Sequence, residues 1–151
     1  MSTVLTKKEV PMVESHSLQL VFGVSEVQDK ISWYLAKALK EKGYEAATPS
    51  VLNFLGALEC GENYGSEIAR NLGVSRQMVA KTVKTLCQMG FLEQVSNEGK
   101  QKPIVFTELG ERLMSDSRQL LADLDQVLMA ELGEKTLMTL LKQLEKIKTL
   151  F

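Results

Sequence analysis

The chain has 151 residues, of which 44% are hydrophobic and 25% charged, and its formal net charge at pH 7 is −1. This composition is typical of one globular domain, and the charge excludes a uniformly basic nucleic-acid coat. Two cysteines without a CxxC spacing and a single histidine, His16, exclude a zinc site built on cysteine and histidine, so we expect neither a metal nor a cofactor.

The sequence carries no signal for a membrane. Lys7, Lys8 and Glu9 stand where the apolar region of a signal peptide would begin. No apolar run approaches the roughly 18 residues that a membrane span needs. We therefore expect a cytoplasmic, reduced protein without a membrane partner.

The first part of the chain predicts an arm and a long helix. Residues 1–14 mix charges with a proline and lack periodicity, which indicates a flexible or strand-exchanging arm. Apolar residues then recur at helical spacing over residues 15–43. Two starts remain open for this helix: a capping-box pattern favours Ser25, and the alternative is a start near Ser17 with a weak point at Gly23.

Three shorter helices are predicted next. Thr48–Pro49 pairs an N-cap with a proline at the first helical position. A short helix over residues 65–71 and a turn at residues 72–74 follow it. Ser75 then caps a helix over residues 76–89. The helices over residues 65–71 and 76–89, with the turn between them, form a predicted helix-turn-helix.

The rest of the chain predicts a hairpin and two more helices. Strands are expected over residues 91–95 and 103–107, joined by a polar loop. Thr107 caps a helix that runs to Leu132, and a last helix covers residues 134–150. The predicted fold class is mainly α with a small β-hairpin wing, a winged helix-turn-helix with terminal dimerisation helices.

The distribution of charge along the chain favours DNA binding. Residues 64–104 carry six Lys/Arg and three Asp/Glu, a net charge of +3, whereas the segments on either side carry −2 each. No acid occurs between Ser75 and Leu92. A basic excess on the predicted reading segment is the footprint expected of a DNA-binding protein.

The fourth helix supplies the predicted base contacts. Arg76 and Lys81 suit the O6 and N7 atoms of guanine, Gln77 suits adenine, and Ala80 suits the methyl group of thymine. The face that we expect to pack on the domain comprises Met78, Val79, Val83, Leu86 and Cys87.

Phosphate contacts are predicted around this helix. Lys84 and Ser75 lie on or beside it, and Ser66 opens the preceding helix, where the helix dipole also favours an anion. Lys100 and Lys102 bracket the tip of the wing, which is expected to follow the DNA backbone or enter the minor groove.

Several segments together resemble the MarR (multiple antibiotic resistance regulator) transcription factors. They are Ser66–Ala69, Leu72–Ser75, Gly90–Glu93 and Thr107–Gly110, and the resemblance covers about residues 25–150. It implies a triangular obligate dimer whose lobes bind pseudo-palindromic double-stranded DNA. It also implies a repressor that is released by a small aromatic or phenolic effector or by cysteine oxidation.

The sequence departs from the family pattern at two places. The wing lacks the arginine of the family's Asp-x-Arg motif, so Lys100 or Lys102 would have to replace it, although lysine is a poorer minor-groove reader. Ala80 precedes Lys81 where the family often has Thr-Arg.

The resemblance implies different roles for different segments of the chain. Residues 15–46 and 108–151 would form the dimerisation helices, and residues 48–107 the DNA-binding lobe. The leucine stripes of the terminal helices, which need a partner, favour the homodimer independently.

The family's ligand pocket lies between the dimerisation helices and the lobe. The resemblance places Trp33, Lys37, Phe54 and Leu55 there. The alternative for Trp33 is a core or interface aromatic, because large aromatics dominate both environments.

Functions other than DNA binding have less support in the sequence. The sequence has no phosphate loop, nucleophile elbow or paired His/Asp set, so we predict no enzyme activity. One alternative is a dimeric winged-helix module that binds other proteins. The other is a redox-responsive regulator that uses Cys60 or Cys87, and neither thiol lies in the basic surroundings that lower a thiol pKa.

Overall fold

A computed structural model describes residues 12–59, 64–95 and 102–151. Its elements, in chain order, are α1 (His16–Glu41), α2 (Pro49–Glu59), α3 (Gly65–Leu72), α4 (Arg76–Gln88), β1 (Leu92–Gln94), β2 (Ile104–Phe106), α5 (Glu108–Leu132) and α6 (Glu134–Lys148). The predicted fold class is confirmed. Most of the predicted arm and the tip of the predicted wing lie outside the described residues.

Helix α1 begins earlier than the capping-box pattern suggested. Ser15 is its N-cap, and the Ser15 hydroxyl accepts a hydrogen bond from the amide of Leu18 at 3.2 Å. The helix then continues through Gly23, so a start at Ser25 is wrong and the start near Ser17 is confirmed to within one residue. A glycine inside a helix costs only about 1 kcal/mol, which an otherwise continuous helix tolerates.

Three side-chain hydroxyls cap the helices as predicted. Thr48, Ser75 and Thr107 each accept a hydrogen bond from the amide three residues further on, at 3.3, 3.1 and 3.1 Å. Each bond satisfies one of the amides that the first turn of a helix leaves without a partner.

The hydrophobic core is shared by the middle of the chain and the neighbouring ends of two long helices. Its most deeply buried side chains come from α1, α2, α3, α4, β1 and α5: Leu39, Leu55, Ile68, Leu86, Leu92 and Leu113. The core therefore extends from the helix-turn-helix into the last turns of α1 and the first turns of α5.

The two strands pair antiparallel, with Leu92 opposite Phe106 and Gln94 opposite Ile104. Helix α5 begins directly after β2, and its first turn lies close to Phe91, the residue that precedes β1. Gly110 is buried there, and a β-carbon on Gly110 would overlap the carbonyl oxygen of Phe91. The position thus requires glycine because backbone and helix approach each other too closely for a side chain.

The terminal helices are largely uncovered. Residues 16–30 of α1 are all exposed, and α6 buries none of its side chains in the single chain. Val21 and Phe22 are 62% and 59% exposed. None of the described helices combines the length and apolarity that crossing a membrane requires.

Candidate nucleic-acid interface

Helix α4 has a buried face and a solvent face. Val79, Val83 and Leu86 recur at helical spacing and are buried in the core. The predicted DNA-contacting residues on and beside this helix are all exposed: Ser75, Arg76, Gln77, Ala80, Lys81 and Lys84. All six residues are therefore accessible to solvent at the start of α4 and along its exposed surface, and three of them are basic.

One residue of the predicted packed face lies elsewhere. Met78 is 56% exposed, and Cys87 is only half buried. Met78 directly precedes the buried Val79, which places it at the edge of the packed face rather than within it. The expectation for Met78 is wrong, and it adds an apolar side chain to the exposed surface of α4.

The turn before α4 fixes its angle to α3. Gly73 ends α3 with a φ of +66°, a left-handed conformation that glycine adopts without strain. The amide of Val74 then donates to the carbonyl of Ala69 at 3.0 Å. The left-handed turn and this bond set the direction in which α4 leaves the end of α3.

The start of α3 meets α4 and the sheet around a small cavity of about 200 Å³. Ser66, Arg76, Ala80 and Gln94 are among its lining residues. The structure thus places Ser66, half buried, beside Arg76. Gln94 was not among the predicted site residues. The available signal was its position two residues after the buried Leu92, on the same face of β1.

Ser75 combines two roles. Its hydroxyl oxygen accepts the cap bond from the Met78 amide, and the hydroxyl proton can still donate to a phosphate. The helix N-terminus adds the partial positive charge of the backbone amides at this position. This geometry suits the predicted phosphate contact.

Of the two predicted wing lysines, Lys102 falls among the described residues. Lys102 is exposed and lies just before β2, where the amide of Val95 donates to the carbonyl of Pro103 at 3.0 Å. Lys100 lies outside the described residues.

The four predicted ligand-binding residues do not share one environment. Trp33 is 67% exposed and Lys37 is exposed, both on α1, whereas Phe54 and Leu55 are buried in the core. None of these four lines the cavity between α3, α4 and the sheet, and none lines the other two cavities found among the described residues. The assignment of a ligand to these residues stays a prediction.

Cys87 lacks the surroundings of a reactive thiol. Burial raises the pKa of the Cys87 thiol, and the nearby carboxylate of Glu93 raises it further. A raised pKa keeps the group protonated at neutral pH, and the thiol is far less nucleophilic than the thiolate. Cys60 lies outside the described residues.

No protein-family model matches the sequence, and no curated protein matches it at a significant level. The likeness to known proteins is one of structure, and it defines the class as a winged helix-turn-helix protein.

Three solved structures show the likeness. Apo MarR from E. coli superposes with a TM-score of 0.68 at 20% identity, covering 91% of this chain and 98% of that one. The S. aureus MepR–DNA complex gives 0.64 at 17% identity, with coverages of 91% and 98%. The PcaV transcriptional regulator from Streptomyces coelicolor, in complex with its natural ligand, gives 0.65 at 17%, with coverages of 93% and 98%. The chain therefore has the fold of the MarR regulators, as the sequence resemblance implied.

Proposed function

We propose that this chain is a sequence-specific transcriptional regulator that binds double-stranded DNA. In this proposal it acts as a repressor, binds pseudo-palindromic promoter DNA as a homodimer, and is released by a small aromatic or phenolic effector.

One observation carries the proposal: the exposed surface of α4. Arg76, Lys81 and Lys84 are exposed beside the neutral readers Gln77 and Ala80, and no acidic residue interrupts the helix. A helix of this kind suits the major groove, where its first turns contact base edges and its cations contact phosphates.

The fold shared with MepR supports the same assignment. MepR was solved in complex with DNA, and the present chain superposes on it over 91% of its length.

The homodimer is supported by the uncovered apolar surface of the terminal helices. A groove of about 750 Å³ separates the first half of α1 from the second half of α6. Its apolar lining residues are Leu20, Val21, Val24, Leu141, Leu144 and Ile147. Exposed apolar patches of this kind mark association sites in otherwise soluble chains, and a two-fold dimer would cover the same patch on both copies.

The effector is supported more indirectly. PcaV, which has the same fold, was solved with its natural ligand. In this chain the ligand would approach Trp33 and Lys37 from solvent, and contact with Phe54 or Leu55 would require opening the core.

One observation favours a second function, a protein-interaction module. The exposed Met78 gives α4 an adaptable apolar side chain, a type enriched at protein interfaces. The raised pKa of the Cys87 thiol argues against Cys87 as the redox-sensing residue of a redox-responsive regulator.

The test is fluorescence anisotropy of the purified protein against labelled DNA from the promoter of its own gene. Titrations are run at several salt concentrations, with and without unlabelled competitor. Nanomolar binding that survives competitor and weakens steeply with salt supports a sequence-specific regulator. Binding that competitor abolishes contradicts recognition at this promoter, and retention of a protein partner by the same surface would then support the interaction module.

A further inference from the structure

Two side-chain contacts tie helix α5 to the elements that precede the helix-turn-helix. The hydroxyl of Tyr44 donates to Oδ2 of Asp116 at 2.7 Å, across 72 residues of sequence. Glu59, the last residue of α2, forms an ion pair with Arg118. Both contacts reach α5 from separate elements, one from the loop after α1 and one from α2.

The two contacts fall on either side of a packed position. Ser117, between Asp116 and Arg118, is buried, and its hydroxyl donates to the carbonyl of Leu113 at 2.7 Å. This stretch of α5 is therefore held against the core by packing and at its flanks by polar contacts. An apolar surface alone has little directional preference, whereas a hydrogen bond and an ion pair have preferred geometries.

The environment of the two contacts differs. Tyr44 and Asp116 are partly buried, and the hydrogen bond to Asp116 is the main reason that the Tyr44 pKa is raised. The Glu59 side chain is only 26% exposed, whereas that of Arg118 is 71% exposed. The Tyr44–Asp116 contact is thus better shielded from water than the Glu59–Arg118 contact, in which the arginine side chain is largely exposed.

Helix α5 extends far beyond the residues that make these contacts. It has 25 residues, which corresponds to about 37 Å at 1.5 Å per residue. Its buried residues are Gly110, Leu113 and Ser117, all in the first half. A small rotation of this first half against the core would therefore displace the far end of the helix by a much larger distance.

We propose that the Tyr44–Asp116 and Glu59–Arg118 contacts are positioning contacts that hold α5 against α2 and the loop after α1. Because α3 packs against both α2 and α4, they thereby set the orientation of the reading helix α4 relative to α5. In a dimer joined through the terminal helices, this orientation fixes the distance between the two reading helices. The contacts thereby determine which half-site spacing the protein prefers, an inference that rests on the proposed function.

The experiment compares half-site spacing in variants. Tyr44→Phe removes one hydroxyl, and Tyr44→Phe combined with Arg118→Gln breaks both contacts. Asp116→Asn keeps an oxygen that accepts from Tyr44, and serves as the conservative variant. Asp123→Asn is the matched control, because Asp123 lies on the same helix and its only hydrogen-bond partner among the described residues is Gln119 of that helix.

Each variant is titrated against a series of operators whose half-sites are separated by one additional or one missing base pair. We expect the wild type, Asp116→Asn and Asp123→Asn to share one optimum. The double variant should lose or shift that optimum, with a change in relative affinity of about twofold to thirtyfold, the range seen when positioning residues outside a ligand site are altered. The salt dependence should not change, since the phosphate contacts are retained. A merely stabilising role would leave the optimum in place.

A second measurement separates this proposal from the proposed function. Residual dipolar couplings of backbone amides in α4 and in the second half of α5 report their relative orientation without DNA. A changed orientation in the double variant, but not in Asp123→Asn, supports the positioning role. Unchanged couplings overturn it, whatever the DNA titrations show. A wild type that binds no operator at any spacing overturns the proposed function and the spacing role with it, and the couplings alone then decide the orientation.

Discussion

At the scale of single residues, the exposed cations of α4 differ in what they are expected to contact. Lys81 lies on the solvent face beside Ala80 and one turn from Gln77, in the part of the helix that a major groove would receive. Lys84 lies further along and suits a phosphate. This difference can be measured, because a base contact carries sequence information and a phosphate contact does not.

Lys81→Ala should weaken binding and relax the preference at one base-pair position by about 1–3 kcal/mol, the value of a good base contact. The measurement is anisotropy against operators that carry single base changes. Lys40→Ala, which removes an exposed lysine at the end of α1, is the control and should bind as the wild type does. An unchanged base preference in Lys81→Ala would show that this residue does not read DNA.

Replacing both Lys100 and Lys102 with alanine should lower affinity for all sequences alike. The slope of log affinity against log salt should become shallower by about one for each phosphate that the variant no longer neutralises. A weakening confined to operators with a particular sequence next to the half-site would instead show that the wing reads the minor groove.

Gly110→Ala should destabilise the fold, since the added carbon would overlap the Phe91 carbonyl where α5 starts. Overpacking of this kind costs about 1–3 kcal/mol. Gly23→Ala is the matched control: it is also a helical glycine, with no atom within 4 Å of an added carbon, and it should gain about 0.5–1 kcal/mol. Urea unfolding of both variants checks the opposite signs.

At the scale of secondary-structure elements, local chemistry made most of the fold predictable. Thr48, Ser75 and Thr107 were predicted as caps, and each hydroxyl accepts the expected amide. A cap can be identified from neighbouring residues because its bond spans only three positions. Ser25 shows the limit, since the same local pattern occurs inside a helix that had already begun at His16.

The candidate site was predictable where it depends on the local sequence pattern, and not where it depends on neighbouring elements. Helical periodicity was enough to place Arg76, Lys81 and Lys84 on the solvent face. It misplaced Met78 because the edge of a packed face depends on neighbouring elements. Contacts such as Tyr44–Asp116 join residues 72 positions apart, and no local pattern marks them.

Ser75 allows the capping role to be separated from the phosphate contact. Ser75→Asp keeps a good N-cap, so the free energy of unfolding should stay within about 0.5 kcal/mol of the wild type. Its negative charge should repel a phosphate and reduce DNA affinity. Ser75→Ala should instead lower the stability by about 1 kcal/mol. Thermal unfolding and anisotropy on the two variants test this, and equal DNA affinity of Ser75→Asp and the wild type would contradict the phosphate contact.

At the scale of the whole molecule, the apolar surface of α1 and α6 is the surface through which we propose that two copies associate. A charge placed in the groove between these helices should disfavour a dimer, because it would be buried without a partner. Val24→Glu and Leu141→Glu should each shift the mass measured by light scattering towards that of one chain. The midpoint of thermal unfolding should also fall as the wild-type protein is diluted.

Val95→Glu is the control for this prediction, because Val95 is 45% exposed, follows β1 and does not line the groove between α1 and α6. It should leave the mass unchanged. A groove variant that keeps the wild-type mass would contradict the proposed interface.

The reading helix α4 and the apolar surfaces of α1 and α6 belong to different segments of the chain, so one can be damaged without the other. This has a genetic consequence. A copy whose reading helix is damaged keeps intact the apolar surfaces of α1 and α6. In the proposed dimer it would still pair with a normal copy, and the mixed pair would hold only one working half. Because a single half-site contributes only part of the binding energy, such alleles would be dominant over the wild type, whereas alleles that destroy the apolar groove would be recessive.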